Sequence, residues 1–458
     1  MGFSWEKNGV VLKSRDALRK SSQGIHPYLH PYLLDTFYVG LLVSTVSYLF
    51  AVGKGRHVTD HIPRRFGDLP PRAGNRPCVW VHGVSVGEIL SVRHFLRLFC
   101  QEFPEWEIVV SATTRAGLEA GRRHYPGTQI VSYPFDFSYL VKRAFDRIRP
   151  DLVIIVEHEL WPNFLWHAQG RGVPVAIVNG RLSERSLRGY RWLSRVDTWP
   201  PPGVVTICVE DEVSAAAFRK LGVSPEAIRV TGNFKFDNIP KVSSGIREEL
   251  GLNTGDWVLV ASSTHKGEEK PLLDAFGALH LQDSRSRLIL APRRVERVDE
   301  LVSLIEEKGF HALRWSKLAA ASSARNGHGE VVVDTVGELE RISAAADVIF
   351  VGGSLVPFGG HNVIAPAGIG CPVVIGPHYT NFRSIVSTFL DREALLVAKD
   401  GRDLSEKLQG LKKDPSRARG MAHRAIETVA KHAGASERTI EALRPLVQSI
   451  DARGKVEV

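Results

Sequence analysis

The sequence predicts an α/β protein of two Rossmann-like domains facing each other across a cleft. Three observations predict it. From about residue 76, short apolar runs alternate with amphipathic stretches, the βαβ rhythm of a parallel sheet with helices on both faces. The rhythm breaks once, over 234–254, and then restarts. A length of 458 residues suits two large domains, and 43% hydrophobic with 24% charged residues excludes a disordered, collagen-like or fibrous chain.

The elements follow in order. Residues 1–35 read as a polar extension, 36–53 as a membrane-anchor helix and 54–75 as a basic linker. Thr36–Gly53 carries no charge over 18 residues, and such a helix is ~27 Å long against a hydrocarbon core of ~30 Å. Lys54, Arg56, Arg64 and Arg65 follow it, whereas the 15 residues before it hold no lysine or arginine. The positive-inside rule then puts the body on the cytoplasmic face of the inner membrane, with the helix single-pass or monotopic. Residues 76–233 form the first domain, with strands over Cys78–His82, Ile108–Ala112, Ile130–Tyr133, Leu152–Glu157, Val175–Asn179, Val204–Val209 and Ile228–Thr231. Residues 234–254 are an interdomain linker. Residues 255–430 form the second domain, with strands over Val258–Ser262, Arg287–Ala291, Val331–Asp334, Val348–Val351 and Val373–Ile375. Residues 319–329 read as a flexible loop and 431–458 as a C-terminal helix and tail.

Lysine and arginine number 59 against 50 aspartates and glutamates, a formal charge of +9 that suits acidic partners such as phosphates or anionic lipid. No nucleic-acid-binding motif accompanies it. Cys78, Cys100, Cys208 and Cys371 lie far apart without a C-x-x-C pair, which excludes a disulfide framework or zinc site. Neither G-x-G-x-x-G after the first strand nor G-x-x-x-x-G-K-[ST] occurs, against dehydrogenase and P-loop readings.

Five constellations carry chemistry. The first is the turn His82-Gly83-Val84-Ser85-Val86-Gly87-Glu88, whose small residues let backbone approach a ligand. Glu88 would begin the helix, where a glutamate either satisfies the helix dipole or faces a cleft as general base; position alone leaves both open. The second is Glu157-His158-Glu159-Leu160-Trp161-Pro162-Asn163 at the end of a buried strand, where ligands of α/β sheets bind. Strand alternation sends Glu157 and Glu159 to one side and His158 to the other, and Glu159 is the favoured functional carboxylate. In the third, Arg181, Arg185, Arg188, Arg191 and Arg195 form a helical stripe beside Tyr190 and Trp192, either a solvated face or a surface for phosphate or membrane contact, with Gly189 a point of interruption. The fourth is Thr231-Gly232-Asn233-Phe234-Lys235-Phe236-Asp237 at the hinge, whose lysine can reach a phosphate. The fifth is Val351-Gly352-Gly353-Ser354-Leu355-Val356-Pro357-Phe358-Gly359-Gly360-His361-Asn362, a strand entering a glycine-rich loop whose consecutive free N–H groups and following helix start would cradle phosphate. The loop Gly376-Pro377-His378-Tyr379-Thr380-Asn381-Phe382 should lie beside it.

In this order the segments RRFGD, VHGVSVGE, IVEHELWPN, NGRLSERS, TGNFKFD, SSTHKGEE, APRRVER, GGSLVPFGGHN and GPHYTNF resemble the 3-deoxy-D-manno-octulosonic acid (Kdo) transferases of lipopolysaccharide synthesis, from about residue 62 to about 430. The resemblance implies a membrane-associated glycosyltransferase of the GT-B fold; single displacement with inversion and no cofactor is the expectation, and the lack of a D-x-D-like ligand set beside the cradle predicts metal independence. The resemblance also implies CMP-Kdo as donor and a lipid A precursor as acceptor, with the acceptor on the N-terminal domain and the nucleotide on the C-terminal one. Glu88 is then the general base and Glu159 a second essential carboxylate. Donor phosphate and nucleotide fall to Lys235, Ser263, Thr264, Pro292, Arg293, Gly353, Ser354, Gly359, Gly360, His361 and Asn362. Acceptor or membrane contact falls to His82, Ser85, Arg181, Arg185 and Arg188.

The chain diverges on the donor side. The family's H-N-x-L-E-P, whose glutamate binds the nucleotide ribose, reads His361-Asn362-Val363-Ile364-Ala365-Pro366 here. Its P-R-H-P-E-R reads Pro292-Arg293-Arg294-Val295-Glu296-Arg297, its T-H-E-G-E-E carries Lys266, and Ser384 stands where an acidic residue is common. Two alternatives follow: a GT-B transferase or epimerase using another nucleotide-activated sugar, or a non-catalytic phosphoglycolipid-binding homologue.

Overall fold

The computed structural model describes residues 35, 65–66, 69–182, 184–193, 203–240, 245–320 and 329–454. The anchor segment 36–53 and residues 321–328 of the expected flexible loop lie outside them. Among the described residues no helix is long and apolar enough to cross a membrane. The chain divides into two units, Met1–Asp237 with Gly434–Val458, and Asn238–Ala433.

The first unit is a seven-stranded sheet of β1 (Cys78–Gly83), β2 (Glu107–Ala112), β3 (Gln129–Ser132), β4 (Leu152–Val156), β5 (Val175–Gly180), β6 (Val204–Val209) and β7 (Ile228–Val230), in the order β3-β2-β1-β4-β5-β6-β7. Every pairing is parallel. Helices cover both faces, so the central strands are apolar on both sides rather than alternating. Successive β1 residues serve opposite faces. Cys78 and Trp80 join Phe145 and Phe164 in one core layer. Val79 and Val81 join Phe95 and Phe99 in the other.

The C-terminal helix Ala435–Gly454 belongs to that second layer through Ala435, Ile440, Leu443, Leu446 and Val447. The Asp237 carboxylate accepts the N–H groups of Gly434 (2.7 Å), Ala435 (3.2 Å) and Ser436 (2.6 Å), capping the start of this helix. The Trp106 indole N–H donates to Asp451 at 2.9 Å. At the other end of the unit, Leu69 is buried in the first layer. The buried Arg72 bridges Glu107 (2.6 Å) and the Ile148 carbonyl (2.9 Å).

The second unit is also all-parallel. Its strands are β8 (Trp257–Thr264), β9 (Ser286–Pro292), β10 (Ala312–Arg314), β11 (Glu330–Val332), β12 (Val348–Val351), β13 (Val373–Ile375) and β14 (Leu396–Val397), in the order β10-β11-β9-β8-β12-β13-β14. The two strands at its edges, β10 and β14, escape sequence reading. They hold three and two residues, too few to show a strand period, and are only half-buried.

In both sheets the first strand lies between two neighbours reached by diverging connections: β1 between β2 and β4, β8 between β9 and β12. Loops leaving the carboxyl ends of strands at such a switch point are where doubly wound sheets bind ligands.

Candidate active site

In the first unit the helix after β1 runs Val86–Ser91, so it starts before Glu88 rather than at it. Ser85 is the cap, and Glu88 is the third helical residue of a capping box. The Glu88 N–H donates to Ser85 Oγ at 3.4 Å, and the Ser85 hydroxyl donates to Glu88 Oε1 at 2.9 Å. The Val84 N–H donates to Oε2 at 2.7 Å. The half-buried carboxylate is thereby fixed. Burial pushes it up to about 7, the Val84 and Ser85 donors pull it back, and the charges of Glu157 and Glu159 push it further.

Strand alternation does not continue into Glu157. β4 ends at Val156, and Glu157 has φ 64°, a left-handed turn that breaks the period of two. The loop is then fastened from the arginine-bearing helix. Tyr190 donates its hydroxyl to the His158 carbonyl at 2.7 Å and accepts the Leu160 N–H at 3.4 Å. Asp136 caps the following helix, Pro162–Gly170, by accepting the N–H groups of Asn163 (3.0 Å) and Phe164 (2.8 Å). His158 Nδ1 and Trp161 Nε1 are buried without a hydrogen-bond partner among the described residues.

His82 lies in the core rather than at a surface that could meet an acceptor. It is wholly buried, its ring is stacked 3.7 Å from that of Tyr133, and Nδ1 lies 3.0 Å from Ser111 Oγ. Burial pushes it down to about 3, so it is a neutral core histidine. The arginine stripe is shorter than its spacing suggests: the helix runs Glu184–Leu193, straight through Gly189, and Arg181 precedes it. Arg188 is exposed; Arg195 lies outside the described residues, and Arg185 is placed by its backbone only.

Lys235 sits on the short 3-10 turn Phe234–Asp237 of this unit. There it opposes the buried carboxyl of Glu210, a residue that sequence reading passes over. Burial pushes Glu210 up to about 7, the charge of Lys235 lowers it and that of Glu157 raises it. Asn179, itself at φ 52°, donates from Nδ2 to Glu210 Oε1 at 3.1 Å.

The second unit corrects the expectation of consecutive free N–H groups in the glycine-rich loop. The wholly buried carboxylate of Glu268 occupies them. Its Oε2 accepts the N–H groups of Gly353 (2.7 Å) and His265 (2.8 Å), and Oε1 those of Ser354 (2.9 Å) and Leu355 (2.8 Å). The loop is a built anion cradle, and the anion is the protein's own. Gly353 and Ser354 therefore offer no amide to a donor phosphate, and Gly360 offers none either, since its N–H donates to the Gly353 carbonyl at 2.7 Å. Gly360 has φ 79°, and a Cβ there would meet Tyr379 Cα at 3.2 Å, so the loop Gly376–Phe382 does lie against it.

Other donor-side residues do converge. Ser263, Arg293, His361 and Asn362 line one cavity of about 210 Å³ with Ala365 and Glu340. Ser263 stands at φ 54° where the β8–β9 register shifts. His361 Nε2 lies 2.9 Å from His265 Nε2, and burial, with the charges of His265 and Arg293, pushes His361 down to about 4. The Thr264 hydroxyl is buried without a partner among the described residues, and Pro292 closes β9. Among the described residues no group of three or more His, Cys, Asp or Glu side chains is arranged to hold a metal ion.

The sequence pattern of the 3-deoxy-D-manno-octulosonic acid transferase family matches residues 60–238. The transferase of that name from Bordetella pertussis is 32% identical over 394 residues, covering 83% of this chain and 90% of its own. The chain belongs to the Kdo transferases. The Chlamydia muridarum member is 28% identical over 91% of this chain and 98% of its own length. A UDP-N-acetylglucosamine 2-epimerase from Neisseria meningitidis, 12% identical, superimposes with a TM-score of 0.57 over 80% of this chain and 100% of its own, which shows the fold alone. This Kdo transferase is thus a glycosyltransferase whose two parallel-sheet units are of the GT-B type. Its missed residues, Glu268, Glu210 and Glu340, share one cause. Each acquires its neighbours from segments distant in the chain, as Glu268 does from Gly353 across 85 positions.

Proposed function

We propose that this Kdo transferase moves Kdo from CMP-Kdo to a hydroxyl of a lipid A precursor by single displacement with inversion, Glu88 acting as general base. The observation that carries the assignment is the Glu88 carboxylate at the switch point of the first sheet, fixed by Val84 and Ser85 and pushed up to about 7. Near that value a carboxylate is ionised in useful amount at neutral pH and still basic enough to accept a proton in the transition state. It takes the acceptor hydroxyl's proton while that oxygen bonds to the anomeric carbon. The bond from that carbon to the phosphate oxygen breaks, and CMP leaves as the anion. Glu157 and Glu159 sharpen the base by their charge. The first unit thus holds the acceptor. The second binds the nucleotide through Arg293, Asn362 and the neutral His361, with the Arg293 guanidinium as the cation for the phosphate.

The body lies on the cytoplasmic face of the inner membrane, held by segment 36–53 and by arginines such as Arg188 on an anionic surface. The test is transfer from CMP-Kdo, generated in situ, to a tetra-acylated lipid A precursor in detergent, read by product mass. A product heavier by one or more Kdo units, lost in Glu88→Ala while CMP still binds, supports the reading; full activity of that variant removes the base assignment.

A further inference from the structure

The cavity of the second unit is lined by a charge that no described residue pairs with. Glu340 stands on the short helix Leu339–Ser343 and lines the cavity. Among the described residues its carboxylate makes no hydrogen bond or ion pair. Its neighbours on the same helix are committed. Arg341 pairs with Glu338 at 3.1 Å and with Glu249. Ile342 is buried, and the Ser343 hydroxyl donates to the Leu339 carbonyl at 2.7 Å. The helix is therefore held in place, and Glu340 stands exposed on it at the cavity wall. Arg293 lines the same cavity, and its guanidinium likewise has no side-chain partner among the described residues. A cation and an anion thus share one cavity without pairing.

An ionised carboxylate only accepts hydrogen bonds. It repels phosphate, which Arg293 attracts, so an anionic nucleotide enters in one sense, phosphate toward Arg293 and neutral donor groups toward Glu340. The hydroxyls of a vicinal diol are such donors, and two of them match the two oxygens of a carboxylate. Ala365, which also lines the cavity, has only a methyl group and accepts nothing. We propose that Glu340 binds the ribose diol of the donor nucleotide and makes the second unit selective for ribonucleotides. The inference rests on the nucleotide-donor reading above and adds the residue that recognises the sugar of the nucleotide.

Titration calorimetry of the full chain in detergent, with CMP and 2′,3′-dideoxy-CMP as probes, tests it. The native protein should bind CMP about ten-fold or more tightly than the dideoxy analogue, the worth of charge-assisted bonds from the diol. Glu340→Ala should bind CMP as weakly as the analogue and leave the analogue's own affinity unchanged. Glu340→Ala with Ala365→Glu should recover part of the preference. Arg293→Ala should weaken both probes alike and keep their ratio. Thermal melting of each variant confirms that it is folded. If Glu340→Ala keeps the native preference, or the native protein binds both probes equally, Glu340 is not the diol ligand, while the nucleotide reading stands. If the folded native protein binds neither probe, the nucleotide reading fails and this inference with it.

Discussion

Each unit follows its first strand with a turn and a glutamate near the start of a helix, and the two glutamates have opposite fates. Glu88 accepts two hydrogen bonds, stays half-buried and keeps capacity on both oxygens. Glu268 accepts four backbone N–H groups and is wholly buried. The first is equipped to take a proton from a substrate. The second has nothing left to offer and instead fastens the glycine-rich loop. Residue type and place in the βαβ unit are shared; what packs against the carboxylate is not.

The largest expected effect removes the proposed base. Glu88→Ala should lower transfer by at least ~10²-fold with CMP affinity retained, measured as single-turnover product formation beside calorimetry. Equal loss of CMP binding would break the division of labour between the units. Next is the structural member. Glu268→Ala leaves four backbone N–H groups without their acceptor, and should cost about 3 kcal/mol or more in the denaturant unfolding of the full chain. Phosphate in the buffer should restore part of that loss by entering the vacated cradle; unchanged stability would show that the cradle needs no anion.

The pH profile sharpens the comparison further. A general base must be ionised, so kcat/KM should rise with pH through about 7, where burial has pushed Glu88. Glu159→Gln removes a neighbouring negative charge and should move that limb to lower pH. Ser85→Ala removes a donor to the carboxylate and should move it higher, with about 1 kcal/mol lost from the cap. Limbs that stay in place in both variants would assign the titration to another group. The smallest effect lies on the surface. Changing Arg185, Arg188 and Arg191 together to Ser should weaken binding to anionic vesicles several-fold at low salt, a difference that high salt erases. A salt-independent result would reduce the stripe to a solvated face.

Much of this was legible in the chain. The buried central strands announce themselves because both faces are covered and their residues are almost all apolar. The turn after β1 and the loop after β4 stand out by composition, and their ordered motifs point to the family. Legibility ends where a property depends on a distant partner. The edge strands β10 and β14 hold three and two residues, too few to show a period, and it is pairing with β11 and β13 that defines them. His82 looks like a ligand in sequence, but Tyr133 and Ser111 close over it. The glycine-rich loop looks open until Glu268 enters it.

The sequence by itself determined the parallel α/β class, the alternation of strands and helices, and the capping box of Ser85 to Glu88, because these follow from local patterning. Only the tertiary structure decided which carboxylates remain available. Burial and distant partners set what each carboxylate can still accept, so chemically identical glutamates end half-buried with capacity to spare at Glu88, wholly engaged at Glu268 and exposed on a cavity wall at Glu340.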